Sequence, residues 1–212
     1  ASPEAKSRQL ACQWACNEKT AMEEALGMSY AGRRAITCMK HVGLNVAADG
    51  FMNAAITGTH GGLVVVAADD PSMHSSQNEQ DSRFYGRFAQ IPMLEPSTQQ
   101  EAYDMMRDGL ELSERWQVPL LMRLTTRLAH SRANVVLREP RPENPLQLPG
   151  SSRFVLLPST ARKNYAELLG KQPSFLAAAE TSSYNRYEEG SDASLGIVAC
   201  GIAYNYVQEA FG

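Results

Sequence analysis

Apolar runs of strand length alternate with amphipathic stretches of helix length over the first two thirds of the chain. Residues 63–68 are continuously apolar and rich in valine, which is typical of a strand buried on both faces of a parallel sheet. The alternation predicts strands at residues 10–14, 35–39, 63–68 and 118–124, and helices at residues 17–31, 44–56 and 98–116. We therefore expect a three-layer α/β domain with a parallel sheet.

Ligand sites in such sheets lie beyond the carboxyl ends of the strands. Three predicted loops meet at that edge, namely residues 40–44, 69–81 and 125–132. The last helix of this region is predicted to begin at Thr98, because Ser97 and Gln100 match a capping box.

The pattern changes after residue 138. Residues 139–150 contain four prolines and predict a linker or an extended crossing segment. A short helix at 161–169, a loop at 184–192, a strand at 195–200 and a helix at 202–210 are expected to follow. The predicted organisation is a domain at 1–138, a linker or crossing segment at 139–192, and the start of a second α/β domain at 193–212, too small to bury a core alone.

Composition narrows the class of protein. The 212 residues carry a formal net charge of -3, which argues against a general nucleic-acid binder. Apolar runs stay below the roughly 18 residues that span a bilayer, so no membrane role is expected. We interpret the four cysteines as reduced, apolar core residues of a cytoplasmic protein, because they lack the spacing of a zinc site; they are Cys12, Cys16, Cys38 and Cys200.

One carboxylate stands out in the first predicted helix. Asn17 is a plausible N-cap, which places Glu18 in the first turn, on the same face as Ala21, Met22 and Ala25. Glu18 could simply complement the helix dipole. Alternatively, it could be a partly buried carboxylate that holds or shares a proton near neutral pH. The spacing alone leaves both interpretations open.

Several long motifs resemble one enzyme family. Residues 17–19, Asn-Glu-Lys, and residues 25–35, Ala-Leu-Gly-Met-Ser-Tyr-Ala-Gly-Arg-Arg-Ala, resemble the first domain of 2-oxoacid:ferredoxin oxidoreductases, which depend on thiamine diphosphate. The closest resemblance is to the alpha subunit of the indolepyruvate branch, through residues 39–49, 69–81, 92–96 and 125–127. The chain begins with Ala1, so we expect a fragment of such a subunit that lacks its natural N-terminus.

This resemblance implies a binding domain for the aminopyrimidine end of thiamine diphosphate. In the family, a glutamate that matches Glu18 shares a proton with N1′ of that ring. The implied catalytic residues are Glu18 and His41, and the implied cofactor-binding residues are Glu18, Gly43 and Asn45. The implied substrate-binding residues are His74, Ser75, Ser76, Gln80, Arg87 and Arg127.

The resemblance also implies the reaction of the complete enzyme. An aryl-2-oxoacid and coenzyme A would give acyl-CoA and CO2, with reduction of ferredoxin, in a hetero-oligomer with a beta subunit. The Gly-Asp-Gly motif that holds Mg²⁺ and the cysteine runs that hold 4Fe–4S clusters do not occur in this sequence. They are expected in other parts of the subunit, and this piece alone is expected to be inactive.

Two alternative functions remain open at this point. A thiamine-diphosphate-dependent 2-oxoacid decarboxylase would use the same first domain without ferredoxin. A non-catalytic metal-binding or scaffold module would use His41, His60, His74 and His130, but the spacing of these histidines fits no metal-site pattern.

Overall fold

Four parallel strands form one sheet in the order β1-β2-β4-β3. The computed structural model describes residues 10–147, 152–190 and 194–211. The strands are β1 (Ala35–Lys40), β2 (Leu63–Asp69), β3 (Met93–Leu94) and β4 (Leu120–Thr125). The helices are α1 (Glu18–Tyr30), α2 (His41–Val46), α3 (Ala48–Thr57), α4 (Arg83–Ala89), α5 (Gln99–Trp116), α6 (Thr126–His130), α7 (Pro158–Glu180) and α8 (Ala203–Phe211), with a 3-10 turn at Ser152–Phe154. The predicted parallel α/β fold is confirmed.

The central strand β2 contributes to two apolar clusters, one on each face of the sheet. Val65 packs in the cluster that includes Met22 of α1 and Phe51 of α3. Val64 packs with Met105 of α5 in the other cluster. Burial on both faces explains why this strand is apolar at successive positions.

Two predicted strands are wrong. Residues 10–14 and 195–200 form no strand, and Leu10 and Val198 are exposed. A strand needs a neighbour to accept and donate its backbone hydrogen bonds. Among the described residues neither segment has such a neighbour, so its apolar character alone does not produce a strand.

The predicted helix at 44–56 is two helices. Ala47 separates them, since it is the C-cap of α2 and the N-cap of α3. Helix α2 begins at His41, directly after β1. The break lets Leu44 and Phe51 both be fully buried. Apolar residues on both sides of Ala47 concealed this change of direction in the sequence.

The start of α5 differs by one residue from the predicted capping box. Thr98 is the N-cap, and its Oγ1 accepts the N–H of Glu101 at 3.1 Å. The carboxylate of Glu101 accepts both the backbone N–H and the hydroxyl of Ser97, at 2.7 and 2.6 Å. The predicted capping box of Ser97 and Gln100 is therefore wrong. Thr98 is the N-cap, and the charged carboxylate of Glu101 accepts both hydrogen bonds that Ser97 donates.

The region after residue 138 is partly as predicted. Residues 139–147 are irregular, and Asn144 Nδ2 and Gln147 N donate to the carbonyls that follow α1, at 3.2 and 2.9 Å. The short helix predicted at 161–169 is instead the 23-residue α7, which contains Pro173. Lys171 and Gln172 of α7 donate to backbone carbonyls of other elements at 2.7 and 2.9 Å, so tertiary contacts extend the helix past the proline. The predicted last helix is confirmed as α8.

The predicted burial of the cysteines is wrong, because all four are exposed, and all are unpaired. Cys38 lies on β1, where alternate residues are buried and exposed. β1 is an edge strand, and Cys38 lies on its exposed face together with Ile36 and Lys40, whereas Thr37 and Met39 face the core. No helix in the described ranges is long and apolar enough to cross a bilayer.

The packing of α3 predicts unequal costs for two matched substitutions. Phe51 is fully buried, whereas Phe88 is 77% exposed. Phe51→Ala is expected to lower the free energy of unfolding by about 3–5 kcal/mol, because it leaves a cavity. Phe88→Ala should change it by less than about 0.5 kcal/mol. Urea denaturation monitored by circular dichroism measures both, and equal effects would contradict the assigned core.

Candidate functional site

Glu18 lies directly on the backbone of Gly43. Asn17 caps α1, since its Oδ1 accepts the N–H of Thr20 at 2.9 Å. The cap fixes the start of α1, and α1 packs next to α2, which follows the carboxyl end of β1. A Cβ atom placed on Gly43 would be 2.5 Å from Cγ and 2.9 Å from Oε1 of Glu18. A side chain at this position would push the flexible end of Glu18 away, so the glycine lets the carboxylate keep this place.

The Glu18 carboxylate is half-buried. Neither of its oxygens has a hydrogen-bond or ion-pair partner within residues 10–147, 152–190 and 194–211. A carboxylate with free acceptor positions at this edge can accept a hydrogen bond from a ligand or exchange a proton with it.

His41 is fully buried at the start of α2. Its Nε2 donates to the carbonyl of Asn78 at 2.9 Å, and its Nδ1 lies 3.5 Å from the carbonyl of Ala68. Beside it, Lys40 Nζ donates to the carbonyl of Ser75 at 3.0 Å. The two residues that end β1 and begin α2 therefore hold the loop of residues 70–81.

Asn45 is exposed on α2, and its Oδ1 accepts a hydrogen bond from the hydroxyl of Tyr85 at 2.6 Å. Burial raises the pKa of Tyr85 above its ordinary value, and the protonated phenol is the donor in this hydrogen bond. The side-chain amide of Asn45 is thereby oriented by α4.

Asp70 organises the loop of residues 70–81, although it was not among the site residues predicted from the sequence. Its carboxylate accepts the N–H groups of His74 and Ser75 and the hydroxyl of Ser76, at 3.2, 2.8 and 2.7 Å. The hydroxyl of Thr126 donates to it at 2.9 Å. The Ser75 N–H and the Ser76 hydroxyl are the main causes that hold the pKa of Asp70 well below its ordinary value. An aspartate at the end of a strand, before a polar loop, was the available signal.

The predicted substrate residues of this loop fall into two groups. The hydroxyl of Ser76 is used by Asp70, and Gln80 Nε2 donates to the side chain of Asn78 at 3.0 Å. His74 and Ser75 are exposed, and their side chains have no partner in the described part of the chain. These two side chains are the ones available to a ligand.

The two predicted arginines lie elsewhere on the surface. Arg87 is exposed on α4, two residues after Tyr85, and side chains two apart on a helix do not share a face. Arg127 is exposed on α6, and its guanidinium lies 5.4 Å from the centroid of the Tyr206 ring. The structure does not bring either guanidinium into contact with Glu18.

A cluster of ion pairs, buried at Arg123 and Asp69 and more exposed at Arg83 and Asp81, supports the same edge of the sheet. Arg123 of β4 donates from Nε to Asp69 of β2 at 2.6 Å, and from Nη1 to Glu95. Arg83 forms a bidentate pair with Asp81, with contacts between 2.6 and 3.0 Å. The cluster thus ties β2, β4 and both ends of the 70–81 loop together. The sequence showed these charges but not that they pair.

Three buried oxygens beside this cluster have no protein partner in the described ranges: Asp69 Oδ1, Ser82 Oγ and Thr125 Oγ1. Asp69 and Thr125 are register partners on adjacent strands, and Ser82 N donates to Asp69 Oδ2 at 3.0 Å. Polar atoms in this setting are ordinarily satisfied by bound water. Within the described ranges, no three His, Cys, Asp or Glu side chains are placed to hold a metal ion.

Comparison with known proteins gives close relatives that are much longer than this chain. The indolepyruvate oxidoreductase subunit IorA of Methanothermobacter marburgensis is 47% identical over 207 residues, covering 93% of this chain and 32% of the relative. IorA of Pyrococcus horikoshii is 45% identical, covering 97% and 33%, and IorA of Archaeoglobus fulgidus is 45% identical, covering 93% and 32%. The chain spans about a third of the length of these curated relatives.

A solved structure and a family profile agree with this result. A 2-oxoglutarate:ferredoxin oxidoreductase from Magnetococcus marinus, solved with 2-oxoglutarate, coenzyme A and succinyl-CoA bound, aligns with a TM-score of 0.71 at 19% identity. The alignment covers 98% of this chain and 44% of the solved chain. At 19% identity it supports a shared fold and nothing further. The profile of the pyruvate flavodoxin/ferredoxin oxidoreductase thiamine diphosphate-binding domain matches residues 4–154. The chain therefore belongs to this thiamine-diphosphate-binding family of 2-oxoacid oxidoreductases.

Proposed function

We propose that this chain forms the aminopyrimidine-binding side of a thiamine diphosphate site, with Glu18 as the catalytic carboxylate. The observation that carries the proposal is the half-buried carboxylate of Glu18, which rests on Gly43 and has no partner among the described residues. Membership in a thiamine-diphosphate-binding family supports the same role.

The residues of this edge fit the pyrimidine end of the cofactor. Thiamine diphosphate supplies the electron sink for decarboxylation of a 2-oxoacid. Glu18 would contact N1′ of the ring through a carboxylate oxygen and exchange a proton there, and Gly43 leaves the Glu18 side chain the space that this contact needs. Asn45, oriented by Tyr85, offers an amide to the cofactor. His41 acts by holding the 70–81 loop and not by proton transfer to the ligand, because both its ring nitrogens face backbone carbonyls.

The 70–81 loop is proposed to receive the substrate. His74 and Ser75 offer hydrogen-bond donors to the acid group, while Ser76 and Gln80 keep the loop in shape. Arg87 and Arg127 are kept as candidate carboxylate partners, because a guanidinium can bind a carboxylate in bidentate fashion. Each is exposed, so reaching the substrate requires the rest of the subunit to form the opposite wall.

The complete enzyme is proposed to convert an aryl-2-oxoacid and coenzyme A into acyl-CoA and CO2, passing two electrons to ferredoxin. The names of the IorA relatives support indolepyruvate as the substrate type and favour an oxidoreductase over a simple decarboxylase. Mg²⁺, iron–sulfur clusters and a beta subunit are proposed to join from outside this chain, which covers about a third of its relatives. This piece alone is proposed to be inactive, and the complete enzyme is proposed to work in the cytoplasm.

Glu18→Gln in the complete enzyme tests the assigned acid–base role. The amide keeps the shape of the side chain but cannot share a proton in the same way, so turnover is expected to fall by roughly 10²–10⁴-fold. Exchange of the C2 proton of bound thiamine diphosphate with solvent, followed by quenching and NMR, should slow in parallel. Glu24→Gln on the same helix is the matched control, because Glu24 is exposed and, among the described residues, accepts a hydrogen bond from Gln13 alone. Near-normal C2 exchange in Glu18→Gln would remove Glu18 from the catalytic role.

Gly43→Ala, with Gly27→Ala as its control, tests the close contact between Gly43 and the Glu18 side chain. Both glycines lie in helices, but a Cβ on Gly27 meets nothing within 4 Å, whereas one on Gly43 collides with Glu18. Gly43→Ala is expected to displace the flexible end of the Glu18 side chain, so exchange of the C2 proton of bound thiamine diphosphate in the complete enzyme should slow, as in Glu18→Gln. Gly27→Ala should leave that exchange unchanged and raise the free energy of unfolding by about 0.4–1 kcal/mol, because alanine restricts the unfolded chain. Quenching followed by NMR compares the two variants, and normal C2 exchange in Gly43→Ala would refute the contact.

A further inference from the structure

The turn at the start of the 70–81 loop has an unusual backbone. Ser72 and Met73 are consecutive non-glycine residues with positive φ, at 68° and 53°. Left-handed conformations in successive side-chain-bearing residues are strained, and such strain persists only where surrounding contacts over-determine it. It concentrates at ligand-binding sites.

Asp70 provides most of those contacts. Its carbonyl accepts the N–H of Met73 at 3.0 Å, and its carboxylate accepts the N–H groups of His74 and Ser75 at 3.2 and 2.8 Å. The Ser72 N–H is held separately by Glu79 Oε2 at 2.9 Å. The strained turn is thus closed around one buried aspartate.

These bonds decide which groups the loop can offer to a ligand. The backbone donors of His74 and Ser75 and the hydroxyl of Ser76 are already used by Asp70. The imidazole of His74 and the hydroxyl of Ser75 remain exposed. Lys40 Nζ donates a hydrogen bond to the Ser75 carbonyl at 3.0 Å. The backbone of this turn is therefore held by Lys40 of β1 as well as by Asp70.

We propose that Asp70 is a positioning residue for substrate binding: it holds the strained turn at Ser72 and Met73 so that the His74 and Ser75 side chains face the acid group of a 2-oxoacid. The inference rests on the proposed function, in which this loop receives the substrate. Asp70 itself touches neither substrate nor cofactor, because its carboxylate oxygens already accept hydrogen bonds from four donors. Three of these donors belong to the loop, and the fourth is the hydroxyl of Thr126.

Asp70→Asn in the complete enzyme tests the proposal. One carboxylate oxygen becomes an NH2 group, which cannot accept from the N–H or hydroxyl donors that it would face. Hydrogen exchange measured by mass spectrometry should show faster exchange of the His74 and Ser75 amides. The KM for the 2-oxoacid should rise by roughly tenfold or more, since misplaced binding groups lose much of their effect. The affinity for thiamine diphosphate and the kcat at saturating substrate should change far less.

Two further variants keep the test decisive. Glu143→Gln removes one carboxylate at a distant, exposed ion pair with Arg33 and should leave both readouts unchanged. If Asp70→Asn does not fold, Thr126→Val removes one donor to Asp70 and should give the same changes at smaller size.

The possible failures are distinguishable. Unchanged amide exchange in Asp70→Asn would overturn the claim that Asp70 holds the turn. Faster exchange with an unchanged KM for the 2-oxoacid would overturn the positioning role while leaving the assignment of Glu18 intact. Absence of 2-oxoacid turnover by the unaltered complete enzyme would overturn the proposed function and the role of Asp70 with it, and it would be seen before any variant is compared.

Discussion

The close contact between Glu18 and Gly43 is the constraint on which the site depends. It requires that α1 start at Glu18, that α2 follow β1 without an intervening loop, and that residue 43 carry no side chain. Each requirement is met by a local feature: the Asn17 cap, the abrupt change from strand to helix at His41, and a glycine. Together they leave a carboxylate with open acceptor positions at the carboxyl edge of the sheet.

The remainder of that edge is held by hydrogen bonds between the ends of neighbouring strands. Lys40 at the end of β1 and His41 at the start of α2 contact the 70–81 loop, and Thr126 at the start of α6 contacts Asp70. The ion pair of Arg123 with Asp69 joins β2 to β4. Because these residues lie in strands or in the first turns of the helices that follow them, the loop is fixed at its base while His74 and Ser75 stay accessible. A ligand at this edge would thus meet a largely pre-ordered surface.

The fold and the place of Glu18 were readable from the sequence, because they follow from local periodicity and capping. The valine-rich run predicted a doubly buried strand, and β2 is one. Residues 195–200 show the limit of this reasoning, since their apolar pattern needs a partner strand that the described chain does not provide. Asp70 shows another limit. Its role depends on hydrogen bonds that exist only once the loop has turned back on itself, and no spacing rule encodes them.

The role of Glu18 is tested most directly by an experimental structure of the complete enzyme with thiamine diphosphate bound. We expect a carboxylate oxygen of Glu18 at roughly 2.6–3.2 Å from N1′ of the aminopyrimidine, within hydrogen-bond reach. We also expect the ring to approach the backbone around Gly43, where no side chain intervenes. A different carboxylate at N1′, or Glu18 turned toward bulk water with the cofactor in place, would contradict this role.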